Sequence, residues 1–448
     1  MFKLSKESRF LINYYDKLIK KSNKNLLFPI NSKKTPNYIN FQKQIFKLLH
    51  NIYELLDVDF KNINNYRKFF ASNTKNYKIL IENTIIRHFI NNKYIDNDVI
   101  EYIKINPGFL VIYHIPFKDK NIVINVINYS KISQKLITNI DNLIKNMIAQ
   151  IYLISTLTKN HSCSRNSLTI SLFLTPFKRE IEKSQEKILG ASNTNGGFCY
   201  GCISNGEIII YRQQEVFKVF THELIHNFGV DKYIWDFMSY VKVENSKQNK
   251  LYNKFINNFN LNKDNDVGIQ ECLVEFWGVF FNNAIYSFIY LKNCNLSEYN
   301  EKFKVYKQTF ETIMNFEIVH SFLQTTKIIY HNRLTYLSML SNNKTPIYRE
   351  QTHIFSYYML KLFLIFDYKE FVNSQISITN NNLLFFSKSL KNMQTFFDYL
   401  ILISRNNSVI LNFKFMREIY LSLINNNNNN NNYILINNLR ISVLEYFN

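Results

Sequence analysis

The chain is poor in the residues that break regular structure. Its 448 residues include only 9 glycines and 6 prolines, which excludes a turn-rich all-β architecture and predicts a mainly helical α+β fold. Cysteine is sparse and odd in number: Cys163, Cys199, Cys202, Cys272 and Cys294. That excludes a disulfide-stapled scaffold and makes an intracellular, reducing compartment the expectation. Residues Met1 to Glu7 lack the apolar stretch of a secretion signal. Long apolar runs are missing too. The best window, Leu273 to Leu291, is interrupted by Glu275, Asn282 and Asn283, so no membrane span is expected.

Aromatic residues, by contrast, are plentiful, with 39 Phe and 30 Tyr. At this length the chain can fill one large core or two medium ones. Asn, Ile, Lys, Phe and Tyr are all over-used and all have AT-rich codons, so part of the bias reports genome composition. The formal charge of +20 falls under the same caution. Its lysines are scattered, with no basic run longer than Lys20-Lys21 or Lys33-Lys34, and specific nucleic-acid binding is not expected. Nothing in the sequence sets an oligomeric state.

Three regions follow from the patterning. Residues 1–107 read as short amphipathic helices, such as Phe41 to Leu55 and Tyr77 to Asn92, with no catalytic signature. Residues 108–232 open with two apolar runs, 109–117 and 121–129, joined by a turn at Lys118 to Lys120, which predicts a hairpin. A helix over 133–156, a strand over 168–175, a charged helix over Arg179 to Leu189 and a strand over 207–212 come next. Residues 233–448 read as mostly helical, with polar loops at 244–266 and 341–347 and a low-complexity asparagine run at 425–432. Cys199 and Cys202 have no companion pair or histidines nearby, so a turn with two free thiols is expected.

The chemistry concentrates in His222-Glu223-Leu224-Ile225-His226. Residues four apart on a helix lie one turn apart on one face, so both histidines can reach one metal ion. Glu223 sits one position round, placed to hold a water at that ion and to accept its proton. The flanking Val216, Phe217, Val219, Phe220 and Phe228 make this helix apolar on nearly all sides, so its polar groups need partners. Gly229 is placed to end it as the C′ residue. A third ligand is required. Position 232, where some HExxH enzymes carry histidine, is a lysine; Asp231 and Asp236 are possible but poorly spaced. Downstream, Glu271, Glu275, Gly278 and Asn282 form one stripe of an apolar helix. Two carboxylates a turn apart in such surroundings repel unless a cation offsets them, and either could be the ligand while the other holds a histidine.

HExxH with a second helix bearing Glu-x-x-x-Glu resembles the gluzincin zinc metallopeptidases over about residues 108–290. With the AT-rich composition, the chain is also similar to uncharacterised metallopeptidase-like proteins of large DNA viruses, which would place it in a host cytoplasm or a virion. The resemblance implies a zincin-like catalytic subdomain at 108–232 (a small mixed sheet plus the HExxH helix) and a helical subdomain at 233–448. It implies one zinc ion held by His222, His226 and Glu271, with Glu275 behind a histidine and Glu223 as general base. The chain departs from that pattern in the longer spacing from His226 to Glu271 and in Glu, rather than the commoner Asp, at 275. The resemblance further implies that a peptide or protein substrate lies along an edge strand. Ile208 to Tyr211, with Ile209 and Tyr211 as contacts, occupies that place, flanked by Gly196 and Gly197. An oxyanion donor is expected from His353 or Tyr357, with Tyr358 and Tyr233 behind them. Two other readings stand beside this one: a catalytically silent structural or virion-associated protein of the same fold, and a basic nucleic-acid-binding protein for which only net charge speaks.

Overall fold

The apolar runs at 109–117 and 121–129 pair as the hairpin that their alternation predicts. In the computed structural model they form strands Phe109–Phe117 and Lys120–Asn128 in antiparallel register, with Leu110 opposite Ile127 and Tyr113 opposite Ile124. The structure describes residues 4–21, 35–117, 120–158, 163, 166–262, 265, 267–341, 347–379, 389–426 and 432–446. Lys118 and Asp119 of the expected turn, residues 342–346 of one expected loop and most of the asparagine run lie outside these residues.

The sheet has six strands: β1 (Arg67–Phe70), β2 (Phe109–Phe117), β3 (Lys120–Asn128), β4 (Ser167–Leu174), β5 (Gly197–Cys199) and β6 (Asn205–Ile210). Their order is β1-β2-β3-β4-β6-β5. β3, β4 and β6 run parallel, and both margins are antiparallel. The apolar residues of β4 (Leu168, Ile170, Leu172, Phe173 and Leu174) and of β6 (Ile208, Ile209 and Ile210) are all buried, as strands covered on both faces require. The three-residue β5 pairs with β6 on its outer side and forms the margin. This corrects the expectation that Ile208 to Tyr211 is the edge.

Helices cover the sheet and extend far beyond it. For the site, the relevant ones are α1 (Pro36–Asp59), α2 (Gln134–Leu157), α3 (Val216–Asn227), α4 (Ile269–Lys292) and α5 (Tyr299–His331), followed by a helix over Phe355–Phe366 whose first half is π-wound. α3 packs between β5 and β6, α2 and α4, which explains why every one of its residues is buried. Among the described residues α4 is the one helix long and apolar enough to cross a membrane, but it sits in the protein core with Phe276, Trp277, Phe280 and Phe281 all buried. The main apolar core takes in α1 along with residues as far apart as Leu11 and Tyr446. A second cluster, from Tyr77 to Ile103 against Leu110, Ile127, Phe173 and Ile209, covers the sheet's other face, so residues before 108 pack on both sides of the sheet.

Two local expectations fail for tertiary reasons. Residues 179–189 are not helical, because their backbone groups bond elsewhere: Ile181 N–H to Asn437 O, Leu439 N–H to Arg179 O and Gln351 N–H to Leu189 O. The polar stretch 244–266 is not all loop; Lys247–Ile256 is a helix capped by Ser246 Oγ and anchored by buried Phe255.

Candidate metal centre

Helical spacing puts His222 and His226 on one face of α3, and the short turn after it fixes their surroundings. The helix ends at Asn227, and Gly229 takes the C′ position with φ of 66°. A side chain at 229 would also collide with Cys163 Sγ. The turn brings Asp231 back under the helix end, where its Oδ2 lies 2.6 Å from His226 Nδ1. Asp231 is thus a partner of a histidine, and exposed Asp236 stays outside the site.

α4 crosses α3 closely enough that a Cβ on Gly278 would sit 3.6 Å from the His222 Cα. This approach delivers the carboxylate stripe to the histidines. Glu271 Oε2 lies 3.3 Å from both His222 Nε2 and His226 Nε2, and the two nitrogens are 3.2 Å apart. Glu275 Oε1 lies 3.0 Å from His222 Nδ1, an ionic contact rather than a straight hydrogen bond. Its other oxygen is paired with Lys218 Nζ, from the turn of α3 before His222. Of the two glutamates, Glu271 faces both ring Nε2 atoms and Glu275 stands behind one of them.

This triangle fits a metal. A tetrahedral ion with bonds of roughly 2.0–2.1 Å has neighbouring donors about 3.3 Å apart, which are the separations found here. Charge points the same way. The carboxylates of Glu223, Glu271, Glu275 and Asp231 are all buried; Lys218 pairs directly with one of them, while Arg179, the other cation at the site, is paired with Glu215. Without an ion the histidines must supply the balance. Burial lowers the His226 imidazole, but Asp231 and Glu271 outweigh it and raise it well above its ordinary value. His222 is raised likewise, with Glu275 foremost against burial. Burial pushes the Glu271 and Glu275 carboxyls up, yet His226 and Lys218 respectively hold them low. Glu223 is different: burial raises its carboxyl and the histidines only partly offset this.

A cleft of about 530 Å³ opens over the triangle. Glu223, Gly197 and Tyr357 line it beside His222, His226 and Glu271. The Tyr357 hydroxyl is held protonated by burial and by the neighbouring Glu271 and Glu223, so it remains a donor. His353 does not reach the cleft lining; its Nδ1 accepts the Gly268 N–H at the start of α4. Tyr358 donates to Leu439 O in the core, and Tyr233 is absent from the lining. Ile209 is buried inside the sheet, and the Tyr211 hydroxyl donates to Tyr94 O, so neither contributes to the cleft. Gly196 lines a small recess beside it and Gly197 lines both.

Three features go beyond the sequence expectations. Lys218 carries a visible signal, a cation one turn before His222 on an otherwise mainly apolar helix. Arg179, paired with Glu215 beneath the recess, carries none. The third is a disulfide between Cys163 and Cys202, which corrects the expected pair of free thiols. Only Cys199 of that pair is free, donating its S–H to Glu223 O. Compared with known proteins, the chain matches no family model, no curated protein and no solved structure.

Proposed function

We propose that this chain is a zinc-dependent metallopeptidase of gluzincin type, with the sheet and α3 as a zincin-like half and the α4 side as the half that supplies Glu271. The observation that carries this reading is the His222, His226, Glu271 triangle, whose edges match one face of a tetrahedral zinc site. When bound, the ion supplies Lewis acidity, lowering the pKa of a water to about 7 and polarising a carbonyl.

The chain's own residues do the rest. Asp231 and Glu275 fix the two rings from behind, which orients Nε2 toward the ion and strengthens each donor. Glu223 faces the cleft with its carboxyl raised by burial, suited to take a proton from water and return it to a leaving amine. Tyr357 offers its O–H where charge develops on the carbonyl oxygen. β5 offers a strand margin that is unpaired among the described residues and along which an extended peptide can lie.

The test is metal analysis followed by one substitution. One zinc per chain is expected, and Glu223→Gln should keep it while losing roughly 10²- to 10⁴-fold in peptide hydrolysis. A protein that binds no zinc, or a Glu223→Gln variant as active as the parent, would overturn the reading.

A further inference from the structure

The cleft has two unlike ends, set by the way β5 runs beside α3. Gly196 and Gly197 lie against Val219, Gly201 faces His226 O, and Cys202 packs at Gly229, so strand and helix advance in the same direction. At the start of that track is a recess of about 20 Å³, room for about one water. Its walls include Arg179, Thr194, Gly196, Lys218, Val219 and Ile441, and it shares His222 and Glu223 with the main cleft. At the far end the cleft is lined by Tyr200, Ile203 and Trp235, which are 40%, 42% and 49% exposed.

The hydrogen bonding of β5 shows which of its backbone groups are open to a peptide. Tyr211 N–H donates to Gly196 O and Tyr200 N–H donates to Glu207 O, so residues 196, 198 and 200 face β6. Gly197 and Cys199 therefore turn their N–H and C=O groups away from the sheet, and neither has a backbone partner on that side among the described residues. Antiparallel pairing is the more stable per residue and is the pairing β5 already makes with β6; a peptide added in that sense places its N-terminal half by Tyr200 and Trp235, and its C-terminal half by the recess.

We propose, resting on the peptidase reading above, that the site selects extended polypeptides with a small residue (Gly, Ala or Ser) just C-terminal to the cleaved bond and a bulky apolar residue N-terminal to it. The recess admits nothing larger without displacing two buried ion pairs, Arg179 with Glu215 and Lys218 with Glu275. Both cations are already neutralised, so the recess asks for no charge, while its polar walls can hydrogen-bond a serine hydroxyl. At the other end Tyr200, Ile203 and Trp235 hold apolar surface in water that a bulky side chain would cover.

The experiment digests a mixed peptide library with the zinc-loaded full chain and reads both new termini by mass spectrometry. Gly, Ala or Ser should dominate the new N-termini, and Phe, Tyr, Leu or Met the new C-termini. Val219→Ala enlarges the recess and should admit Val or Leu after the cleaved bond. Trp235→Ala, at a half-exposed position that tolerates truncation, should lower the preference for aromatic over alanine about tenfold. Cleavage with no such preference, or with the two preferences reversed, overturns this proposal and leaves the metallopeptidase reading standing. No cleavage of any peptide by protein with zinc bound overturns the reading and this proposal together.

Discussion

Lys218 and Glu275 form an ion pair buried directly behind His222, with the lysine one turn earlier on the same helix as the histidine. The ammonium is the permanent cation paired directly with one of four buried carboxylates, and it holds Glu275 ionised where burial would neutralise it.

Lys218→Met should therefore act on both stability and metal binding. Leaving Glu275 without its partner should cost about 3–5 kcal/mol of unfolding free energy in the metal-free protein. Zinc affinity should fall roughly 10- to 100-fold, because Glu275 no longer holds His222. Adding Glu275→Gln to Lys218→Met should recover much of the stability. Urea unfolding and competition with a chelator measure the two effects, and a Lys218→Met protein unchanged in both would refute the role given to this pair.

A pH dependence follows from the histidines. In the metal-free protein His226 and His222 are raised by Asp231, Glu271 and Glu275 against burial. Groups raised on folding add stability below their unfolded value, about 6.5, and lose it as pH climbs through the folded value. Zinc must displace those protons, so its affinity rises over the same interval. The melting temperature of metal-free protein should fall from pH 6 to pH 9, and the increment from zinc should widen. An increment that is flat or narrows with pH would contradict this arrangement.

The Cys163–Cys202 bridge closes a separation of 39 residues and ties the turn after β5 to the segment before β4. Cys163→Ser should cost roughly 2–4 kcal/mol under oxidising conditions. It should also abolish the difference in urea midpoint between oxidised and reduced protein. A midpoint insensitive to both changes would show that the bridge contributes nothing to stability.

Much of the candidate site is legible in the sequence because it is built on helices, where spacing fixes direction. His222 and His226 at i and i+4, and Glu271, Glu275 and Gly278 on one stripe, face each other across α3 and α4 as that periodicity requires. Gly229 ends its helix for the same local reason. β5 is not legible in the same way. Three residues carry no alternation to read, and the longer apolar run of β6 beside it is the stronger strand signal. Shared helical spacing pairs His353 with Tyr357, yet only Tyr357 faces the cleft, since the Gly268 N–H occupies His353 Nδ1.

The sequence by itself determined a helix-rich α+β chain, the hairpin, the two-histidine helix and the acidic stripe, because each follows from local periodicity and composition. The tertiary structure alone decided that Glu271 meets both histidines, that Asp231 and Glu275 stand behind them, that Lys218 neutralises Glu275 and that Cys163 reaches Cys202. It also decided that residues 179–189 give up a helix for bonds to the C-terminal segment. These are contacts between segments far apart in the chain or across a turn. Their distances depend on how close the helices pack and on what burial does to charge, which neighbouring residues do not specify.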